Sequence, residues 1–165
     1  MKILVTGGSG FIGSNLIRKA LKNEYTIVNV DSLTYSGSNN NLTDISNNEL
    51  YFFEHANILD YQKLINIFEL HQPDCVMHLA AESHVDRSID KPDPFIYTNI
   101  NGTFNLLEAS RIYCNKNNCY EKFRFIHIST DEVYGSAKDN VFFSEDSNYY
   151  PNSPYSASKA SSDHL

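Results

Sequence analysis

The chain has 165 residues, of which 41% are apolar, 20% charged and 13% aromatic, a balance that suits one globular domain with a real core and excludes a disordered or fibrous chain. Thirteen basic against 20 acidic residues give a formal charge of −7, which argues against an electrostatic grip on nucleic acid. No apolar run approaches the roughly 20 residues of a membrane helix, and Met1-Lys2 opens directly into a strand-like run, so neither a membrane span nor secretion by an ordinary leader is expected. Cys75, Cys114 and Cys119 form an odd set without zinc spacing; they read as spare buried thiols of a cytoplasmic protein, and no metal centre is expected.

In chain order, Lys2-Ile-Leu-Val-Thr6 is the near-continuous apolar run of a strand covered on both faces. Phe11, Ile12, Leu16, Ile17, Ala20 and Leu21 recur at helical spacing between Gly10 and Lys22. Residues 26–31 form a second strand and 50–54 a weaker third. A helix follows over 60–71, ended by Pro73, and 74–79 is the fourth strand. Pro92 and Pro94 suit the opening of one long helix to about Cys114, and 123–129 is the fifth strand. The Asn-rich stretches 36–48 and 115–122 read as exposed loops. From Tyr155 to Leu165 the pattern is helical, with no Gly, Asn or Pro to end it; the front part of a longer protein is expected. This alternation predicts an α/β fold, a doubly wound parallel sheet in the order 3-2-1-4-5, over one domain spanning 1–165.

Thr6-Gly7-Gly8-Ser9-Gly10-Phe11-Ile12-Gly13 joins the first strand to the first helix. A pyrophosphate can rest on the free N–H groups of a helix start only where no side chain intervenes. Gly7 would allow the tight turn, Gly10 the approach of the phosphates, and Gly13 close packing of helix on sheet. A glycine-rich turn that merely connects two elements is the plainer alternative. Asp31 ends the second strand, where a carboxylate accepts from ribose hydroxyls and repels a 2′-phosphate, favouring NAD over NADP; its plainer role is to start an Asx turn. Together, the loop and the acid favour the dinucleotide.

Two Tyr-x-x-x-Lys pairs occur, Tyr134 with Lys138 and Tyr155 with Lys159. Only the second sits in a helical run that aligns phenol and ammonium on one face, where the ammonium can lower the phenol's pKa. Tyr134 reads as a packed or loop tyrosine. Ser129-Thr130-Asp131-Glu132 falls at the end of the fifth strand, where ligands of such folds bind. Its hydroxyl and two carboxylates suit an acid and a base beside a tyrosine, although Thr-Asp-Glu alone is more often a helix-capping signal. His78, His84 and His127 lack metal-ligand spacing and read as ordinary hydrogen-bonded histidines.

Assembled, these motifs resemble the extended short-chain dehydrogenase/reductase family, and within it the dTDP-glucose 4,6-dehydratases. Besides the glycine loop and Tyr155/Lys159, the resemblance is carried by Asp31-Ser-Leu-Thr-Tyr35, His78-Leu-Ala-Ala-Glu-Ser-His-Val-Asp-Arg-Ser-Ile89 and Ser129-Thr-Asp-Glu-Val-Tyr-Gly135. It spans essentially the whole chain, but only the first half of the family's usual length. It implies NAD contacts from Phe11 and Ile12, from Asp31, Ser32, Leu33 and Thr34, and from Asn57 and Ile58 at the adenine. Leu79, Ala80, Ala81, Glu82, Ser83 and Thr98 would follow the nucleotide, with Ser83 and Thr130 also facing the sugar. Asn57 stands where the family typically has Asp; its amide oxygen can still accept from the adenine amino group.

The resemblance also implies a mechanism. Tyr155, supported by Lys159, removes the 4-hydroxyl proton as hydride leaves C4 for NAD⁺, and Thr130 hydrogen-bonds the 4-oxygen. Glu132 takes the C5 proton, Asp131 protonates the departing 6-hydroxyl, and hydride returns to C6. Opposite protonation states for adjacent carboxylates call for unequal environments, with Asp131 the more desolvated. Homodimers through the long helix and the helix starting at Tyr155 are implied for the full-length protein. For these 165 residues alone, NAD binding without turnover is expected, since the sugar pocket is incomplete and the substrate domain lies outside the chain. A sugar-nucleotide 4-epimerase or decarboxylase and a non-catalytic NAD-binding module are the rival readings.

Overall fold

The computed structural model describes residues 1–137 and 142–165 and divides into two compact units. The first comprises Met1–Ala80 and Asn105–Ile128, and holds all five strands in a parallel sheet ordered β3-β2-β1-β4-β5. The strands are β1 Lys2–Thr6, β2 Thr26–Asp31, β3 Tyr51–His55, β4 Cys75–His78 and β5 Arg124–His127. The predicted order is borne out. Because strand side chains alternate, β1 feeds two cores. Leu4 packs with Val28, Val30 and Val76 against Leu64, Ile67 and Phe68 of α2 (Tyr61–His71) and Leu106 and Ala109 of α5 (Thr103–Asn117). Ile3 and Val5 pack with Ile27 against Ile17, Ala20 and Leu21 of α1 (Phe11–Lys22), and with Leu42.

Leu42 lies in a stretch expected to be loop. Residues Asn39–Ile45 instead form two short 3₁₀ turns meeting at a kink at Leu42, the first capped where the Asn40 amide donates to the Ser38 hydroxyl. They are tied to α1 by Arg18, whose guanidinium binds Asp44 at 2.7 Å. One buried leucine and one ion pair order a segment whose composition reads as solvent-facing.

The second unit, Ala81–Phe104 and Ser129–Leu165, contains α3 (Val85–Asp90), α4 (Asp93–Phe95), a π-helical turn Ile96–Gly102, a 3₁₀ turn Asp131–Tyr134 and α6 (Pro154–Asp163). The single long helix expected from Pro92 to Cys114 is therefore three consecutive segments, extending to Asn117. At the π turn Asn99 is buried and directs its side chain away from its own helix, accepting from the Glu82 amide at 2.8 Å and donating to the Glu82 carbonyl at 2.9 Å. π turns of this kind recur at functional sites. Helix α6 begins with a capping box: the Ser156 amide donates to the Ser153 hydroxyl and the Ser153 amide to the Ser156 hydroxyl, with Pro154 at the first turn.

Candidate active site

In the first unit, the glycine loop leads from β1 into α1. Gly7 has φ +70°, and a Cβ there would stand 2.7 Å from the Ala80 amide nitrogen, so both conformation and space demand glycine. Gly13 packs against the loop, where a Cβ would come within 2.3 Å of the Gly7 carbonyl oxygen. Gly10 differs. It caps α1 without a side-chain hydrogen bond, and a Cβ would meet nothing nearer than 3.3 Å. Its missing side chain is explained less by protein packing than by room left at the helix N-terminus, where an anion is favoured. Phe11 and Ile12 at that entrance are 85% and 65% exposed.

Asp31 starts the Asx turn that the sequence allows and also anchors the glycine loop. Its Oδ1 accepts from the Leu33 amide at 2.8 Å, which is an Asx turn, and its Oδ2 accepts from the Ser9 amide at 2.9 Å, tying the glycine loop to β2. Each carboxylate oxygen keeps a further lone pair. Leu33 sits in left-handed backbone at φ +53°, an unusual conformation for a branched residue. Ser32 is half-buried and Thr34 exposed. The exposed Asn57 receives the Leu59 amide on its Oδ1 at 2.9 Å beside the buried Ile58. Leu79 and Ala80 are half-buried at the end of β4, where the Ala80 amide donates to Thr6 Oγ1. His78 shares a 2.7 Å hydrogen bond with Thr6 and lies 5.2 Å, centroid to centroid, from the His127 ring.

In the second unit, Tyr155 stands in the first turn of α6 and Lys159 one turn on. The Tyr155 ring meets Phe95 edge to face at 6.3 Å. Burial pushes its phenol above the ordinary range; a hydrogen bond with Thr130 opposes this, while Glu132, Asp131 and Asp163 add to it. All four side chains thus act on the phenol. Lys159 is 4% exposed, and burial lowers its ammonium to about 8 against the opposing charge of Asp163. The chain's own groups therefore raise the phenol rather than lower it, contrary to what the spacing of Tyr155 and Lys159 alone suggests.

Thr130 caps the 3₁₀ turn, accepting from the Glu132 amide at 3.3 Å, so the capping role and the site role coexist. Asp131 is exposed and Glu132 half-buried; the burial runs opposite to the expectation that Asp131 is the more desolvated, because Asp131 occupies the open start of the turn. Ala81 and Glu82 are half-buried, Ser83 is exposed and Thr98 half-buried on the π turn. Tyr134 packs against Phe143 and Tyr149, with centroids at 5.5 Å in both cases. Its partner by spacing, Lys138, lies with Asp139 and Asn140 outside the described residues.

Several residues of this unit carry no signal a sequence reading isolates. The Ser88 hydroxyl on α3 accepts from the Tyr155 amide at 3.1 Å, and Asn99 donates to Ser158 of α6 at 2.9 Å. Asp163 accepts from Ser129 at 2.6 Å and from Tyr149 at 3.1 Å. In the first unit Gly8 is also confined, since a Cβ there would lie 2.2 Å from Asn29 Oδ1. Only the glycine's presence within the loop hinted at it.

Comparison with known proteins finds the family model described as GDP-mannose 4,6 dehydratase over residues 4–165. A dTDP-glucose 4,6-dehydratase of Escherichia coli K12 is 55% identical over 177 aligned positions, covering 100% of this chain and 49% of that protein. Among solved structures, a dTDP-glucose 4,6-dehydratase from Streptomyces venezuelae with NAD bound superposes with a TM-score of 0.87 at 42% identity, covering 99% of this chain and 50% of the other. A UDP-glucose 4-epimerase from Thermotoga maritima with UDP-glucose gives 0.85 at 38%, covering 99% and 49%. The resemblance drawn from the motifs is borne out. The chain spans about half the length of the curated relatives it matches.

Proposed function

The chain belongs to the GDP-mannose 4,6 dehydratase family, and on that premise we propose that the protein carrying it uses NAD to dehydrate a nucleoside-diphosphate glucose to its 4-keto-6-deoxy sugar. dTDP-glucose is the first candidate and UDP-glucose the second. The observation that carries this reading is the grouping of Thr130, Asp131 and Glu132 about the Tyr155 phenol. A 4-epimerase needs no acid and base at 131 and 132, and a module that only binds NAD needs none of the four. The 55% identity to a named dehydratase supports the same choice.

Gly7, Gly10, Phe11, Ile12 and Gly13 would hold the pyrophosphate, the open helix start at Gly10 being the feature that fits it. Asp31, with Ser32 to Thr34, would take the ribose through its remaining lone pairs and exclude a 2′-phosphate. In the first unit, Asn57 and Ile58 would meet the adenine, and Leu79 and Ala80 would contact the nucleotide; in the second, Ala81, Glu82, Ser83, Thr98, Tyr155 and Lys159 would contact NAD. NAD supplies, when bound, an acceptor for the C4 hydride and its return to C6. Tyr155 takes the 4-hydroxyl proton, and Thr130 holds the 4-oxygen. Glu132, half-buried, removes the C5 proton and returns it to C5 as hydride comes back to C6. Asp131 donates a proton to the departing 6-hydroxyl. Ser83 would contact the sugar.

The protein is further proposed to be cytoplasmic, supported by its three free thiols, and to form a homodimer, supported by Ile96, Tyr97 and Phe104, large apolar side chains left exposed along the π turn and the start of α5. Among the described residues no helix is long and apolar enough to cross a membrane. In the protein at the length of its relatives, Asp131→Asn should slow water loss by about 10²- to 10⁴-fold with NAD affinity unchanged. A full dehydration rate in that variant removes Asp131 from the mechanism.

A further inference from the structure

Helix α5 ends in a left-handed residue, Asn118 at φ +55°. Its effect is to turn the Cys119 amide back onto the Cys114 carbonyl at 3.2 Å, the first-to-sixth hydrogen bond of a Schellman ending. In that ending the side chains of the first and sixth residues meet, ordinarily as an apolar contact. Here both are cysteines. Cys114 is buried and Cys119 half-buried, and their thiols hydrogen-bond to each other. The intervening residues 115–118 are exposed. Cys119 is held on its other side as well, its carbonyl accepting from the Lys122 and Phe123 amides at 3.1 and 2.9 Å. Cys75 is apart from this pair, buried in β4 with Arg124 and Ile3 as its register partners.

We propose that Cys114 and Cys119 form a dithiol site that low-molecular-weight disulfides such as oxidised glutathione close to an intramolecular disulfide. The backbone bond already brings the two residues face to face, the condition a disulfide imposes on its partners. Cys119, the more accessible, gives up its proton and attacks one sulfur of oxidised glutathione. The glutathione S–S bond breaks, one glutathione leaves as thiolate and takes up a proton, and Cys119 carries the other as a mixed disulfide. Cys114 then loses its proton, attacks Cys119 Sγ and expels the second glutathione, which is protonated in turn. The cysteine pair loses two electrons and two protons; oxidised glutathione gains both. Burial, with the hydrogen bond that the Cys114 thiol donates to Cys119, raises Cys114 to about 12, which makes it the resolving partner rather than the first nucleophile. The closed form pins the last turn of α5 to the segment entering β5, and a reducing thiol pool reopens it.

The test incubates the native chain with oxidised glutathione, quenches with acid, alkylates the remaining thiols after unfolding and maps peptides by mass. The chain should lose the mass of two hydrogen atoms. Cleavage after Lys116, between the two cysteines, should leave two peptides joined only through sulfur, with Cys75 alkylated. Cys114→Ala should stop at glutathione on Cys119, and Cys119→Ser should take up none at Cys114. A wild-type chain that ends as the mixed disulfide, that pairs Cys75 instead, or that stays fully reduced where a free dithiol is oxidised overturns the proposal.

Discussion

Lys159 is a cation held out of water, its ammonium lowered by burial to about 8, with Asp163 pulling the other way. Unfolded, the same group titrates near 10.4. The unfolded chain therefore binds more protons between these values, and stability rises as pH climbs from about 8 towards 10. At neutral pH the burial costs roughly 3 kcal/mol. Lys159→Met is accordingly expected to stabilise the fold by about that amount at pH 7 in urea unfolding, with the gain shrinking above pH 8, while the proposed activity is lost. A variant less stable than wild type at pH 7 would mean the ammonium is held by contacts that outweigh its desolvation. Asp163 raises both Lys159 and Tyr155. In the full-length protein Asp163→Asn should therefore move both limbs of the kcat/KM profile to lower pH, by up to about one unit. An unshifted profile would leave Asp163 only its bonds to Ser129 and Tyr149.

At the scale of elements, α6 owes its start to the Ser153/Ser156 capping box. Ser153→Ala should cost about 1 kcal/mol, seen as a lower urea midpoint with unchanged slope; no change would place the helix start under the control of Ser88 and Pro154 instead. The strands and most helices were legible because their apolar residues repeat at periods of two or 3.6, and β1 and β2 fall where the pattern puts them. The π turn was not legible. Its cause is Asn99 bonding to Glu82 and Ser158, contacts distant in sequence, while Ile96, Ile100 and Phe104 keep a helical rhythm across it. Helix α3 escaped for another reason: Val85-Asp-Arg-Ser-Ile-Asp90 is one and a half turns of mostly polar residues. The site divides similarly. Gly7, Gly10, Gly13, Asp31, Tyr155 and Lys159 are visible through spacing, whereas Ser88, Asn99 and Asp163 are polar residues that a sequence assigns to turns and solvent-facing sides. Only folding shows their side chains turned inward.

For the whole molecule, the sheet order and the loop geometry support a dinucleotide at the helix start, and the second unit gathers a phenol, a lysine, a hydroxyl and two carboxylates. The relatives are about twice as long, and the proposed activity is that of a protein of that length. The most direct test of the central claim gives that protein NAD⁺ with dTDP-glucose or UDP-glucose and weighs the product. A sugar nucleotide lighter by one water is expected, formed faster from dTDP-glucose. An isomer of unchanged mass would contradict the claim, identifying an epimerase and leaving Asp131 and Glu132 without their assigned roles.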